Sequence, residues 1–233
     1  MKIALLGYGK MGKVIEGIAL QRQHTIVLKV TSKDKDYLLN DVDVAIDFST
    51  PESAVENITY CITHNIPVIS GTTGWLSHYN DMVTLCQNKN GAFLYASNFS
   101  LGVNIFFELN KTLSKLMKGL PQYKISIEEI HHTQKLDAPS GTAITLAEEI
   151  IKNSEYKNWT LEHPKHNEIG MTAKRIENVP GTHEITYESS VDTINIKHTA
   201  HSREGFALGA VIAAEWIIGK KGVFTMKDVL NIG

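Results

Sequence analysis

Cysteine is nearly absent from this sequence, with only Cys61 and Cys86 among 233 residues. Two cysteines build no disulfide framework, so a reducing, cytoplasmic compartment is expected. Neither has a neighbour that would activate a thiol, and both read as small apolar residues of helices. No stretch approaches the ~18 consecutive apolar residues that a membrane-spanning helix needs. No charged leader precedes an apolar run, so no signal peptide is expected. Charge of one sign is also missing. Lys and Arg total 23 against 25 Asp and Glu, a formal net charge of -2, which gives no basic field for nucleic acid. Repeats and low-complexity segments are absent as well. What remains, at 42% apolar and 21% charged, is enough to build the core of one large domain or two modest ones.

The first hundred residues alternate strand and helix patterns. Lys2 to Leu6 is a short apolar run ending at Gly7-Tyr8-Gly9-Lys10-Met11-Gly12. A helical pattern follows through Met11, Val14, Ile15, Ile18 and Ala19, and then a second strand from His24 to Val30. In that setting Gly-x-Gly-x-x-Gly points to a dinucleotide: one glycine for the turn, one for backbone approach to the pyrophosphate, one for close packing of the helix. Thr31 stands where an acidic residue would hold the ribose of NAD, whereas Ser32 and Lys33 suit a 2′-phosphate. Either NADPH or NADH is therefore admissible, with NADPH at least tolerated. Further strands are expected at Val42–Phe48, Ile66–Ser70 and Ala92–Ala96, with helices between them. The fold class is α/β, with a Rossmann-like, doubly wound parallel sheet at the N-terminus. Ligands bind beyond the carboxyl ends of strands in such sheets. Asp47-Phe48-Ser49, Gly71-Thr72-Thr73-Gly74 and Ala96-Ser97-Asn98-Phe99 all fall there, so cofactor contacts are expected among them.

The pattern changes after Phe99. A long helix is expected over Leu101–Leu116, and then an alternating strand through Tyr123, Ile125 and Ile127. The stretch from Glu129 to Ala143 reads as the connection from that strand to a helix carrying Ile144, Ala147 and Ile151. His131 and His132 lie close to Lys135, which places proton donors of different intrinsic pKa in one short segment. Ser140-Gly141-Thr142 opens the helix, offering free N–H groups and two hydroxyls to a carboxylate or phosphate. Asp137 and Ser140 are equally ordinary cap residues, so a capped helix beside a solvated loop accounts for the same letters. Residues 153 to 170 read as polar and irregular. His163 and His166 lie there without a further ligand cluster, and no metal is expected. Three β segments follow, at Thr172–Glu177, Thr182–Ser189 and Thr193–Thr199, which indicates an α+β second domain able to pair with copies of itself. An apolar helix from Phe206 to Ile218 and a closing segment to Leu230 return to the first domain.

Taken together, these motifs resemble the 4-hydroxy-tetrahydrodipicolinate (dihydrodipicolinate) reductase family. The likeness is specific at Glu129-Ile-His-His, Lys135 and Asp137-Ala-Pro-Ser-Gly-Thr142. It extends to the N-terminal glycines, Asp47-Phe-Ser49, Gly71-Thr-Thr-Gly74, Asn98-Phe-Ser-Leu-Gly-Val103 and the Phe206 helix. The resemblance implies a dinucleotide-binding domain of residues 1–99 plus 206–233, and a substrate and tetramerisation domain of residues 100–205. It implies NAD(P)H-dependent reduction of a small cyclic dicarboxylate in diaminopimelate and lysine synthesis by a homotetramer. By position, His131 resembles the family's acid/base and Lys135 its proton donor. His132, with Ser140, Gly141 and Thr142 at the helix start, resembles the grip on the substrate's carboxylates. Gly7 to Gly12, Gly71 to Thr73 and Ala96 to Phe99 resemble the cofactor contacts. Thr31, in place of an acidic residue, and Ser97, in place of a common proline, depart from the pattern.

Overall fold

The structure, a computed structural model, describes residues 1–34 and 36–232. In chain order it begins with β1 (Lys2–Leu6), α1 (Lys10–Gln21), β2 (Thr25–Val30), β3 (Val44–Asp47), α2 (Pro51–Thr63), β4 (Val68–Ser70), α3 (Tyr79–Asn88) and β5 (Ala92–Tyr95). Helix α4 (Leu101–Leu116) leads to β6 (Lys124–His131), α5 (Gly141–Asn153), β7 (Asn158–Thr160), β8 (Glu168–Arg175), β9 (Gly181–Glu188) and β10 (Thr193–Ala200). The chain closes with α6 (Glu204–Ile217), β11 (Gly222–Phe224) and α7 (Met226–Leu230). Two compact units result: Met1–Asn104 with Glu204–Gly233, and Ile105–Arg203. The first break falls inside α4 rather than before it.

Unit 1 is built on a six-stranded parallel sheet in the order β11-β5-β4-β3-β1-β2. Alternation along its central strands supplies two cores. Ile3, Leu5, Val44 and Ile46 face one way, packed with Ile15 and Ala19 of α1 and the alanine-rich side of α6. Ala4, Leu6 and Ala45 face the other way, with Ile58 and Ile62 of α2 and Met82 of α3. Each fully buried Ile or Leu contributes about 1.5–3 kcal/mol, so both layers are held firmly. The small residues of α6 matter most at Gly209, where a Cβ would lie 1.7 Å from the carbonyl oxygen of Phe99. Cys61 and Cys86 are buried in α2 and α3, and burial pushes both thiols up, which suits an inert packing role. The closing segment supplies the edge strand β11 and then α7, whose start carries a Thr225/Asp228 capping box.

Unit 2 is a five-stranded mixed sheet in the order β10-β9-β6-β8-β7. β9 runs antiparallel to β6 and β10, while β6, β7 and β8 are parallel to their neighbours among themselves. Ile125 and Ile127 of β6 and Ile185 and Tyr187 of β9 share one buried face, covered by Leu146, Ala147 and Ile150 of α5 and by Phe106 of α4. Three expectations are corrected here. β6 runs on to His131, so Glu129 and His131 belong to the strand and only His132–Ser140 connects it to α5. β8 starts at Glu168 rather than Thr172, because Ile169 and Met171 belong to the core face. The stretch expected to be irregular contains β7, which one aromatic, Trp159, attaches to the same core. Among the described residues no helix is long and apolar enough to cross a membrane.

Candidate active site

In unit 1 the three glycines after β1 serve three different needs. Gly7 has φ +101°, and a Cβ there would sit 2.1 Å from the carbonyl oxygen of Phe48. At Gly12 a Cβ would meet the carbonyl oxygen of Gly7 at 2.6 Å, so this glycine lets α1 close on the turn. Gly9 is the opposite case: nothing lies within 4 Å of where its Cβ would be. That open position caps α1 with no side-chain bond, and no acidic residue stands in the helix's first turn. The backbone N–H groups there are left for an anion. Gly7 and Tyr8 both donate their N–H to the carbonyl of Val30, at 3.0 and 2.7 Å, which ties the turn to the end of β2. A cradle of this kind fits the pyrophosphate of a dinucleotide.

Two concavities surround it. One of about 550 Å³ is lined by Gly7, Tyr8 and Gly9 together with Thr31, Ser32 and Asp34. A second of about 310 Å³ is lined by Gly9, Lys10 and Met11 with Gly71, Thr72 and Thr73. Lys33 is exposed and lines neither, and Ala96, Ser97, Asn98 and Phe99 are likewise outside both linings. Phe99 is buried, with its ring 5.7 Å from that of Phe48, while Asn98 Oδ1 accepts the N–H of Ser100. The strand ends are joined by Asp47, which is fully buried. Its carboxylate accepts from Ser49, Asn57, Ser70 and Thr72 at 2.6 to 2.9 Å, linking β3, α2, β4 and the Gly71 turn. Burial raises its pKa against the pull of those four donors.

In unit 2 the buried face of β6 changes character at its end. Ile125 and Ile127 are succeeded by Glu129 and His131 on the same side. Opposite them on β9, Tyr187 and Ile185 give way to His183, which pairs in register with Glu129. Glu129 is 1% exposed, and three groups converge on it. His131 Nδ1 lies 2.8 Å from Oε2, off the line of an ideal N–H···O bond, and neither atom has another hydrogen-bond partner. The Ser140 N–H donates to Oε1 at 3.2 Å, and Arg175 donates to the same oxygen at 3.0 Å. Burial would raise the carboxyl of Glu129, but these partners outweigh it and pull the pKa down to about 2. His183 is held neutral instead. Burial first, and then the nearby His131, lower its pKa to about 4, while its Nε2 meets the Ser140 hydroxyl at 3.1 Å.

The connection itself is pinned by Arg175, which also donates to the carbonyls of Lys135 and Asp137. Lys135 turns its ammonium onto both carboxylate oxygens of Asp137, at 2.8 Å each, and this contact lowers the Asp137 carboxyl. Ser140 caps α5 by accepting the Ala143 N–H. The N–H groups of Gly141 and Thr142 have no acceptor among the described residues, and space is open where a Gly141 Cβ would be. His132 is half-buried and lines a concavity of about 300 Å³ with Glu177, Asn178 and Arg203. Thus His131, Ser140 and Arg175 meet one buried carboxylate, Gly141 follows Ser140 directly, and Arg175 also holds the carbonyl of Lys135.

Glu129, His131 and His183 also have the residue types of a metal site, with their ligand atoms within 4.8 Å of one another. Arg175 on Glu129 and the Ser140 hydroxyl on His183 already engage that set, which is the pattern of a proton-sharing network rather than of a cation cage. Sequence reasoning passed over the parts played by Glu129, Arg175, His183 and Gly181. A Cβ at Gly181 would press on His131 Nε2 at 3.1 Å, so glycine there gives the imidazole its room. The available signal was parity. Glu129 and His131 continue the alternation of Ile125 and Ile127, as His183 continues that of Tyr187 and Ile185.

Comparison with known proteins covers both units. Residues 1–99 match the family model described as dihydrodipicolinate reductase, N-terminus, and residues 102–230 match its C-terminus counterpart. A 4-hydroxy-tetrahydrodipicolinate reductase of Christiangramia forsetii is 59% identical over 99% of this chain and 98% of its own length. One from Thermosipho africanus is 36% identical at the same coverage. Among solved structures, a dipicolinate-bound dihydrodipicolinate reductase from Paenisporosarcina sp. TG-14 shares the fold with a TM-score of 0.76. It is 21% identical and is covered, like this chain, to 97%.

Proposed function

The chain belongs to the dihydrodipicolinate reductase family, and on that premise we propose that its chemistry is placed at the end of β6 and the start of α5. The reaction is the NAD(P)H-dependent reduction of 4-hydroxy-tetrahydrodipicolinate, a step of lysine and diaminopimelate synthesis. In this reading unit 1 holds the dinucleotide, with the glycine turn on its pyrophosphate and Gly71 to Thr73 beyond it. When bound, the nicotinamide supplies a hydride.

Unit 2 handles the substrate and the protons. The N–H groups of Gly141 and Thr142 hold one carboxylate at the helix start, and His132 meets the other. Departure of the 4-hydroxyl as water takes a proton onto the leaving oxygen and gives one back from the adjacent ring carbon, and the conjugated anion formed when hydride reaches the ring takes up one more. His131 and Lys135 exchange these protons. Glu129 fixes the His131 ring through Nδ1 and leaves Nε2 for proton exchange. Lys135 exchanges its partner Asp137 for the substrate, bringing positive charge to the developing anion. General acid assistance of this kind is worth about 10²–10⁴-fold. The observation that carries the reading is the Glu129–His131 contact standing beside two helix-start N–H groups without acceptors.

A relative that binds dipicolinate, a planar dicarboxylate, supports the substrate class. Assembly into a homotetramer is supported by the β10 edge strand and by exposed Val191 and Ile194 beside it. A cytoplasmic location suits a biosynthetic enzyme with two buried, unbridged cysteines. The test supplies substrate by aldehyde–pyruvate condensation and follows nicotinamide absorbance. His131→Ala and Lys135→Ala should each collapse kcat while cofactor affinity is kept. Near-normal turnover in both would remove the assignment.

A further inference from the structure

The turn after β2 carries an anion of its own. Thr31 stands at the strand end, 19 residues past Gly12, where a carboxylate commonly holds the ribose of NAD. Three residues later, Asp34 folds back onto it. Asp34 Oδ2 accepts the Thr31 backbone N–H at 2.8 Å and the Thr31 hydroxyl at 2.7 Å. The Thr31 hydroxyl in turn accepts the Lys33 N–H at 3.3 Å. Asp34 Oδ1 has no partner among the described residues. Thr31, Ser32 and Asp34 line the same 550 Å³ concavity as Gly7 and Gly9, so this carboxylate borders the space that runs on from the glycine turn.

We propose that Asp34 selects the cofactor, its free carboxylate oxygen taking the 2′-hydroxyl of the adenosine ribose and turning away a 2′-phosphate, so that the enzyme prefers NADH to NADPH. The inference rests on the dinucleotide reading of unit 1. Two observations point the same way. Two of the donors that a 2′-phosphate could use at this strand end, the N–H and hydroxyl of Thr31, are already filled by Asp34, and the Asp34 carboxylate shares the lining with the remaining one at Ser32. Among the described residues, the lysines of this strand end offer a phosphate little: Lys33 lies outside the lining, and Lys29 is paired with Glu16 at 2.6 Å. The Thr31 bonds also hold the Asp34 carboxyl below its usual range, which keeps it charged at neutral pH. The proposal departs from the sequence expectation that Ser32 and Lys33 receive a 2′-phosphate.

The experiment is a binding titration of the full-length protein with NADH and with NADPH, without substrate, by calorimetry or nicotinamide fluorescence. NADH should bind at least about tenfold tighter, and Asp34→Ala should bring the two Kd values within about threefold. Thr31→Val, which removes one bond holding Asp34, should narrow the gap less. Tighter NADPH binding by the wild type, lost in Lys33→Ala, would overturn the proposal. So would a preference for NADH that survives Asp34→Ala unchanged. Binding of neither cofactor would remove the dinucleotide reading of unit 1, and this inference with it.

Discussion

The molecule contains two strand–turn–helix connections built on opposite principles, one in each unit. Between β1 and α1 the turn is made by taking side chains away: Gly7 and Gly12 clear contacts that a Cβ would block, and Gly9 faces open space. Between β6 and α5 the connection is made by adding charge. His131 and Arg175 converge on Glu129, Lys135 pairs with Asp137 in the loop that Arg175 ties down, and Ser140 caps the helix. The first arrangement suits a ligand that brings its own charge to a bare backbone. The second suits a reaction in which protons move, because donors and acceptors are already in place before any ligand arrives. Its cost is internal. A carboxylate buried this deeply is tolerable only while all its partners remain.

That difference predicts how each connection breaks. Glu129→Ala should have the largest effect, since it strands Arg175 and removes the acceptor of the Ser140 N–H. A loss of about 3–5 kcal/mol is expected, read from urea unfolding. Glu129→Gln should keep most of the stability yet lower kcat and alter its pH profile, as expected of a group that positions an imidazole. In the glycine turn the contrast is sharper. Gly7→Ala meets both a positive φ and the Phe48 carbonyl, and should cost about 2–4 kcal/mol. Gly9→Ala should leave stability within about 1 kcal/mol and instead weaken dinucleotide binding by at least about tenfold.

A smaller effect follows from pH. His183 has a pKa near 4 when folded and an ordinary value of 6.5, so the unfolded chain takes up its proton first as pH falls. Stability should therefore decline between pH 6.5 and about 4, by on the order of 3 kcal/mol. Glu129, depressed to about 2, should add a further loss below pH 4.5. Unfolding midpoints at pH 7 and pH 5 check the first step, and His183→Gln should flatten it.

The two connections also differ in how well the sequence displays them. The glycine turn is local: its residues lie within six positions, and its strand and helix flank it directly. It was legible before any coordinates. So were the parallel sheet, the long α4 and the succession of strands in unit 2. The charged network is not local. Arg175 and His183 come from β8 and β9, and only the sheet register brings them to Glu129 and His131. β7 and β11 were missed as strands because three residues with one or two apolar side chains carry no period. The role proposed for Asp34 had no sequence signal, because it depends on a turn folding back onto Thr31 rather than on strand position.

If the first connection takes the dinucleotide and the second the diacid, their backbone amides should report it separately. The most direct measurement is an amide chemical-shift titration of the full-length protein with NADH and, independently, with dipicolinate. The account predicts that NADH moves Gly7, Gly9 and Gly12, and that dipicolinate moves Gly141 and Thr142. Dipicolinate shifting the glycine turn while Gly141 and Thr142 stay still would contradict it.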